Sequence, residues 1–262
     1  MRIVVEAAST RVAATGDPVL SVRNLTKHFG AITALEDISI DAYGGEVLAL
    51  LGDNGAGKST LIKCVSGVHR FESGEIFLQG MRANFRSPED ARDAGIETVY
   101  QDLALFDNAD PTGNLYAGRE ISGPAWLPRG LRVMRRKAME ASTATLIERL
   151  KIGLPDFRAS ISMMSGGQRQ AIAVARSVNF ASRVVILDEP TAALGLRESR
   201  QVLDLVAQLK SEGIAIILIT HNMDHVTELA DRAVVIRRGR YVGEEVPGEA
   251  ATARIVSMII GA

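Results

Sequence analysis

The run Val47-Leu48-Ala49-Leu50-Leu51 leads without a break into Gly52-Asp53-Asn54-Gly55-Ala56-Gly57-Lys58-Ser59, and Leu61, Ile62 and Val65 follow at helical spacing. A short continuous apolar run marks a strand buried on both faces. A glycine-rich octet between such a strand and a helix satisfies G-x-x-x-x-G-K-[ST], a pattern built to hold phosphate. Its glycines let successive backbone N–H groups turn inward around phosphate oxygens, and the following helix aims the positive end of its dipole at the same point. Lys58 adds a point charge with reach to the outer phosphates, the Ser59 hydroxyl can ligate Mg²⁺, and Thr60 completes the helix start. The expected nucleotide-binding residues are therefore the loop itself, Gly52 to Thr60.

A strand–loop–helix unit of this kind needs a parallel sheet, and the rest of the chain supplies one. Val184-Val185-Ile186-Leu187, Ala215 to Ile219 and Val234-Val235-Ile236 repeat the buried-strand signal. Between the first two lies Arg197 to Lys210, with Val202, Leu205, Val206 and Leu209 on one helical face. Val19 to Leu25 and Ile38 to Asp41 alternate apolar and polar residues like half-buried strands. Gly74 to Gly80 and Gly239 to Gly243 read as short strands of an antiparallel portion. From about residue 102 to 165 strand signals vanish, helical candidates such as Lys137 to Leu150 take over, and prolines punctuate the stretch. The reading is an α/β fold with a phosphate-loop NTPase core, a mainly parallel sheet, an antiparallel portion and a helical insertion. It forms one domain over residues 18–262 behind a variable tail, residues 1–17.

Composition narrows the classes further. The chain has 262 residues, 47% apolar and 23% charged, which excludes disordered and fibrous classes. A formal net charge of −1 argues against a generally basic nucleic-acid binder, so no nucleic-acid partner is expected. Cys64, the single cysteine, excludes an intramolecular disulfide framework and fits a reducing compartment. No stretch reaches the ~18 uncharged apolar residues of a membrane span.

Asp188 and Glu189 close the strand Val184 to Leu187, which places two carboxylates at the C-terminal edge of the sheet, where α/β folds bind ligands. Asp188 suits Mg²⁺ binding through water, and leaves Glu189 free to orient and polarise an attacking water.

Ser165-Gly166-Gly167-Gln168 lies between the phosphate loop and this carboxylate strand, and with it the chain resembles the ATP-binding subunit of ABC transporters over roughly residues 19–239. The resemblance implies an ATPase with ATP and Mg²⁺ as cofactors, and it assigns roles residue by residue. Phe29 occupies the place of the aromatic that stacks on adenine. Gln101 resembles the glutamine that touches Mg²⁺ and the attacking water, and His221 the histidine that hydrogen-bonds the γ-phosphate. Lys58, Gln101, Glu189 and His221 are then the catalytic set, with Ser59, Gln101 and Asp188 around the metal. Ser165, Gly166, Gly167 and Gln168 would contact ATP held by an opposite subunit, so that one chain carries two incomplete halves of a site and a second subunit, in a homodimer, completes them.

Thr191-Ala192-Ala193-Leu194-Gly195, Asn114 to Glu120, Ser87 to Ile96 and Thr220-His221-Asn222-Met223 are similar to the carbohydrate-uptake branch, in particular its single-domain, fructose- or ribose-type members. That similarity implies transmembrane permease subunits as partners, an extracytoplasmic sugar-binding protein acting indirectly, and a peripheral position on the cytoplasmic face of the membrane. A soluble ABC-type ATPase working on ribosomes or DNA, or the ATPase of an exporter, is the alternative. Two residues depart from the family's pattern: Met164 stands for the usual leucine before Ser165, and Gly195 replaces the carboxylate that helps couple the two nucleotide sites.

Overall fold

The computed structural model describes residues 16–124, 126, 132–154, 156–180 and 183–261; most of the expected tail, residues 1–15, lies outside them. Along the chain, β1 (Leu20–Phe29), β2 (Ile32–Ala42) and β3 (Val47–Leu51) precede α1 (Lys58–Val65). β4 (Ser73–Leu78), β5 (Met81–Ala83), α2 (Pro88–Asp93) and β6 (Ile96–Val99) follow. The middle holds α3 (Pro111–Tyr116), the short pair β7 (Ser122–Gly123) and β8 (Val133–Met134), then α4 (Arg136–Arg149) and α5 (Gly166–Asn179). The last part runs β9 (Val184–Asp188), α6 (Leu196–Ser211), β10 (Ala215–Ile219), α7 (Met223–Leu229), β11 (Arg232–Arg237), β12 (Arg240–Glu245) and α8 (Glu249–Ile260).

The central sheet has the order β12-β11-β3-β10-β9-β6, and every pairing in it is parallel except β11 with β12. Its continuous apolar runs have a direct cause. Val185 and Leu187 of β9 and Ile216 and Leu218 of β10 feed a core shared with α5 and α6, while Val184, Ile186, Ala215 and Ile217 feed a second core on the other face. That second core joins α1 to the antiparallel sheet β2-β1-β4-β5, whose Leu20, Val22, Ile38 and Ile40 face inward. A strand between two cores has no solvent face and therefore no polar alternation. α8 closes a third cluster over β11 with Ala251 and Ile255.

Two strand assignments come out differently from the sequence reading. Gly74 to Gly80 and Gly239 to Gly243 do pair antiparallel, but in different sheets: β4 lies in the four-stranded one, and β12 is the edge of the central one, tied there by a two-residue turn from β11. β6 is a parallel strand that sequence patterning passes over. It is four residues long and two of them, Glu97 and Thr98, are polar; Glu97 is buried and held by Arg119 at 2.9 Å. Local signals worked well at α2, where Ser87 caps the helix with Asp90 in a capping box, Pro88 takes the first turn and Gly95 follows the end at φ +94°. In the middle segment α3, α4 and α5 pack on one another. Arg136 there is engaged by Asp110 at 2.5 Å and Glu140 at 3.0 Å. No helix among the described residues is long and apolar enough to cross a membrane.

Candidate functional site

Because β11, β3, β10, β9 and β6 run parallel, their C-terminal ends share one edge of the sheet. That edge gathers residues far apart in sequence: the loop after β3, Asp188 and Glu189 at the end of β9, His221 just beyond β10, and Gln101 just beyond β6. A cavity of about 550 Å³ opens there, lined by Asn54 to Thr60, Gln101, Asp188 and Glu189. Its size falls in the range of small-molecule and cofactor sites. Asp53 faces an adjoining cavity on the outer side of the loop, and Gly52 lies beneath, its carbonyl turned to Lys58.

The loop's shape follows from its glycines. At Gly57 the backbone has φ +108°, and a Cβ would stand 2.8 Å from Leu35 Cδ2 and 2.9 Å from the Ala34 carbonyl oxygen. Only glycine both adopts that angle and lets β2 approach so closely. Gly57 is also the N-cap of α1 and brings no side-chain acceptor, so the first N–H groups of the helix face the cavity without a side-chain cap. Such a terminus suits an anion. Lys58 Nζ donates to the carbonyls of Gly52 at 2.6 Å and Asp53 at 3.0 Å, folding the ammonium back along the loop. Burial pulls its pKa below the usual lysine range, while Glu189, Asp188 and Asp53 favour the charged form.

Across the cavity, burial raises the Asp188 carboxyl above the usual carboxylate range and Glu189 pushes it the same way, with Lys58 and Lys63 opposing. Glu189 takes a left-handed backbone angle, φ +52°, which a side-chain-bearing residue adopts only where its surroundings hold it. Here the Glu189 N–H donates to the Ile219 carbonyl at 2.9 Å, fixing the bend at the end of β9 against β10. His221 Nδ1 lies 2.9 Å and 3.0 Å from the two Glu189 carboxylate oxygens, yet its side chain is 78% exposed. The two residues that sequence reasoning gave separate tasks therefore touch each other. The remaining histidines are engaged elsewhere: His225 with Thr191 and Asn222, His28 with Thr33, and His69 edge-on to the Phe29 ring at 5.3 Å. Phe29 ends β1, is 44% exposed and lies outside the residues lining the cavity, with Lys27 over its ring at 5.1 Å.

Ser165 to Gln168 stand apart from this cavity and line none of it. Ser165 is the N-cap of α5; its Oγ accepts from Gln168 N at 3.3 Å, and Gln168 Oε1 accepts from Ser165 N at 3.0 Å. Gln168 Nε2 donates to the Gly153 carbonyl at 2.9 Å, so both ends of its amide are spent on shaping the helix start. The small residues here have a packing reason beside the expected one of phosphate approach. A Cβ on Gly167 would sit 2.8 Å from Glu198 Cβ, and one on Gly166 3.0 Å from Leu194 Cδ2. Glu198 also accepts from Gly195 N at 3.1 Å, which starts α6 with a carboxylate although residue 195 itself has none. Ala171, Ile172, Ala175 and Val178 face the core, as their spacing requires.

Sequence reasoning missed Ile32, Thr33, Ala34, Arg238 and Gly239, all of which line the cavity. The first three follow Phe29 by a few residues. The last two form the β11–β12 turn, and only the strand order, with β11 beside β3, brings that turn to the phosphate loop.

With this geometry in place, comparisons with known proteins agree on the family. Residues 35–192 match the ABC transporter family. The fructose import ATP-binding protein FrcA of Rhizobium meliloti is 44% identical over 94% of this chain and 95% of its own length. The xylose/arabinose import ATP-binding protein XylG of Sulfolobus acidocaldarius is 42% identical over 93% and 96%. The ribose import ATP-binding protein RbsA 1 of Rubrobacter xylanophilus is 40% identical over 93% of this chain, which spans 47% of that relative. Among solved structures, a nucleotide-free ATP-binding cassette from an ABC transporter superposes with a TM-score of 0.80 at 23% identity, over 94% of this chain and 100% of the other. CbiO1 from Clostridium perfringens, part of the ABC transporter complex cbiONQ, gives 0.76 at 28% identity over 92% and 93%.

Proposed function

The chain belongs to the ABC transporter family and is an ATPase of its ATP-binding cassette type, and we propose that it powers import of a monosaccharide such as fructose or ribose, working as a pair of identical subunits beneath a transmembrane permease. The observation that carries the ATPase chemistry is the convergence of Lys58, Ser59, Gln101, Asp188 and Glu189 on one cavity at the sheet edge. The sugar-import relatives support the cargo class. The permease would hold it at the cytoplasmic face, and an extracytoplasmic sugar-binding protein would deliver the cargo without touching it.

In this reading the phosphates lie against the Asn54 to Thr60 backbone, with Lys58 turning from the Gly52 carbonyl to the outer phosphate oxygens and Phe29 closing on the adenine. Ser59, Gln101 and Asp188 offer oxygen donors around one cavity, a set that fits Mg²⁺, which takes few protein ligands beside phosphate and water. Bound there, Mg²⁺ would neutralise charge on the phosphate oxygens. A cation also suits Asp188, whose buried carboxyl is costly to ionise without one. His221 leaves Glu189 for the γ-phosphate, and its exposure gives it room to turn. Glu189 is thereby freed to accept a proton from the attacking water. Ser165 keeps an O–H for the phosphate of the opposite subunit, because its lone pair, and not its proton, is used in the cap. Gly166 and Gly167 add backbone donors, and Gln168 sets their direction.

Deleting the gene and measuring uptake of labelled solutes tests the cargo. Loss of uptake of a monosaccharide, with amino acids and metals unaffected, is the expected result. Normal uptake of every sugar with loss of another solute class refutes the cargo and leaves the ATPase standing.

A further inference from the structure

The turn between β11 and β12 is two residues long, Arg238-Gly239, with Arg237 paired to Arg240 across it. Both turn residues have positive φ, +50° and +76°. A two-residue hairpin of that handedness selects Asn, Asp or Gly at its first position, because a longer side chain is strained there. The comparable turn at Gln79-Gly80, φ +50° and +74°, also carries a long side chain at its first position, and there Gln79 accepts a hydrogen bond from Arg183. Arg238 has no such partner among the described residues. Its neighbours do: Arg240 pairs with Glu36 at 2.5 Å and Arg237 donates to the Met258 carbonyl at 3.4 Å.

The turn is also fixed to the phosphate loop. Gly239 N donates to the Ala56 carbonyl at 2.8 Å, and the Gly239 carbonyl accepts from Glu36 N at 2.7 Å. Arg238 thereby lines the nucleotide cavity and the adjoining one past Asn54 and Gly55. Among the residues lining the nucleotide cavity the acids are Asp188 and Glu189, and the cations are Lys58 and Arg238.

We propose that Arg238 is a further nucleotide-binding residue, an exposed guanidinium held in a strained turn so that it contacts the phosphate chain of ATP. This rests on the reading that the cavity takes ATP. A guanidinium pairs with phosphate oxygens through directed donors, whereas Lys58 supplies only a point charge. Strain stored in the free protein is offset when the ligand arrives.

Calorimetric titration of ATP into the wild type, Arg238→Asn and Lys58→Ala, with the thermal midpoint of each nucleotide-free protein, tests it. Asn suits the turn better than Arg, so misfolding does not confound the result. The expected outcome is an Arg238→Asn dissociation constant for ATP raised about tenfold, the size of one charge-assisted hydrogen bond, with a thermal midpoint at or above wild type, and no measurable binding by Lys58→Ala. Unchanged ATP affinity in Arg238→Asn, with binding lost in Lys58→Ala, overturns the role of Arg238 alone. A lowered midpoint in Arg238→Asn overturns the strain argument. ATP affinity unchanged by Lys58→Ala overturns the placement of the nucleotide in this cavity and the role of Arg238 with it.

Discussion

The phosphate-loop edge and the start of α5, which the proposed function makes two halves of one site, are built in opposite ways. At the loop, backbone angle, neighbouring strand and helix terminus all impose the same geometry, and Lys58, Gln101, Asp188 and Glu189 meet there within a single chain. At α5 the local geometry is equally well made, with Ser165 and Gln168 capping each other and Gly167 seated on Glu198, but these residues line none of the loop's cavity. The difference teaches that packing alone accounts for the α5 glycines, seated on Glu198 and Leu194, while the loop glycines are set by backbone angle and the approach of β2.

The largest effect is expected from Glu189→Gln. It keeps the shape beside His221 but removes the base, so steady-state hydrolysis should fall by about 10²–10⁴-fold while ATP affinity stays near wild type. Hydrolysis at the wild-type rate would remove Glu189 from its role.

Cys64 probes how firmly the loop side is closed. It sits on α1 behind the loop, is 1% exposed, and burial raises its thiol to about 11 from 9.0. The folded state favours the protonated thiol, so this site favours folding less as pH rises from 9.0 towards 11. Near neutral pH the raised pKa alone should slow reaction of native Cys64 with a thiol reagent about a hundredfold relative to the unfolded chain. Labelling that is equally fast in both would show a loop helix open to solvent and would blur the contrast with α5.

Gly167→Ala addresses the other half. The added methyl meets Glu198 Cβ at 2.8 Å, so the fold should lose about 1–3 kcal/mol in denaturant titration. Hydrolysis should fall while ATP binding to the isolated subunit is kept. A loss of binding equal to that of hydrolysis would place Gly167 at the chain's own nucleotide.

The smallest effect is expected at Gly195. A Cβ there stands 3.5 Å from Glu198 Oε2, so Gly195→Asp fits and only sets a second carboxylate beside the first. It should change the Hill coefficient of hydrolysis more than the affinity for ATP. An unchanged coefficient in an active enzyme would count against a coupling role for a carboxylate at this position.

How much of this was legible in the sequence follows the same division. The loop, α6 and the strands β3, β9 and β10 announce themselves because residues adjacent in sequence carry the whole signal: a run buried on both faces, a glycine that must turn, a helix with one apolar stripe. β6 stayed hidden because Glu97 and Thr98 interrupt it, and Glu97 is tolerated inside through its ion pair with Arg119, a residue from another segment, with Arg92 and Arg176 adding positive charge nearby. Arg238 stayed hidden for a related reason. Its turn is recognisable locally, but its place beside Ala56 depends on β11 pairing with β3. Likewise the contact of His221 with Glu189 joins the ends of two neighbouring strands, which no spacing along the chain reveals.

Sedimentation velocity of Glu189→Gln with and without ATP, beside the double variant Glu189→Gln, Ser165→Arg, tests most directly that each chain holds two incomplete halves. ATP should convert the single variant from one subunit to two, and the double variant should bind ATP yet sediment as one subunit at every ATP concentration. A single variant that binds ATP and stays a lone subunit, or a double variant that pairs as readily as the single one, would contradict it.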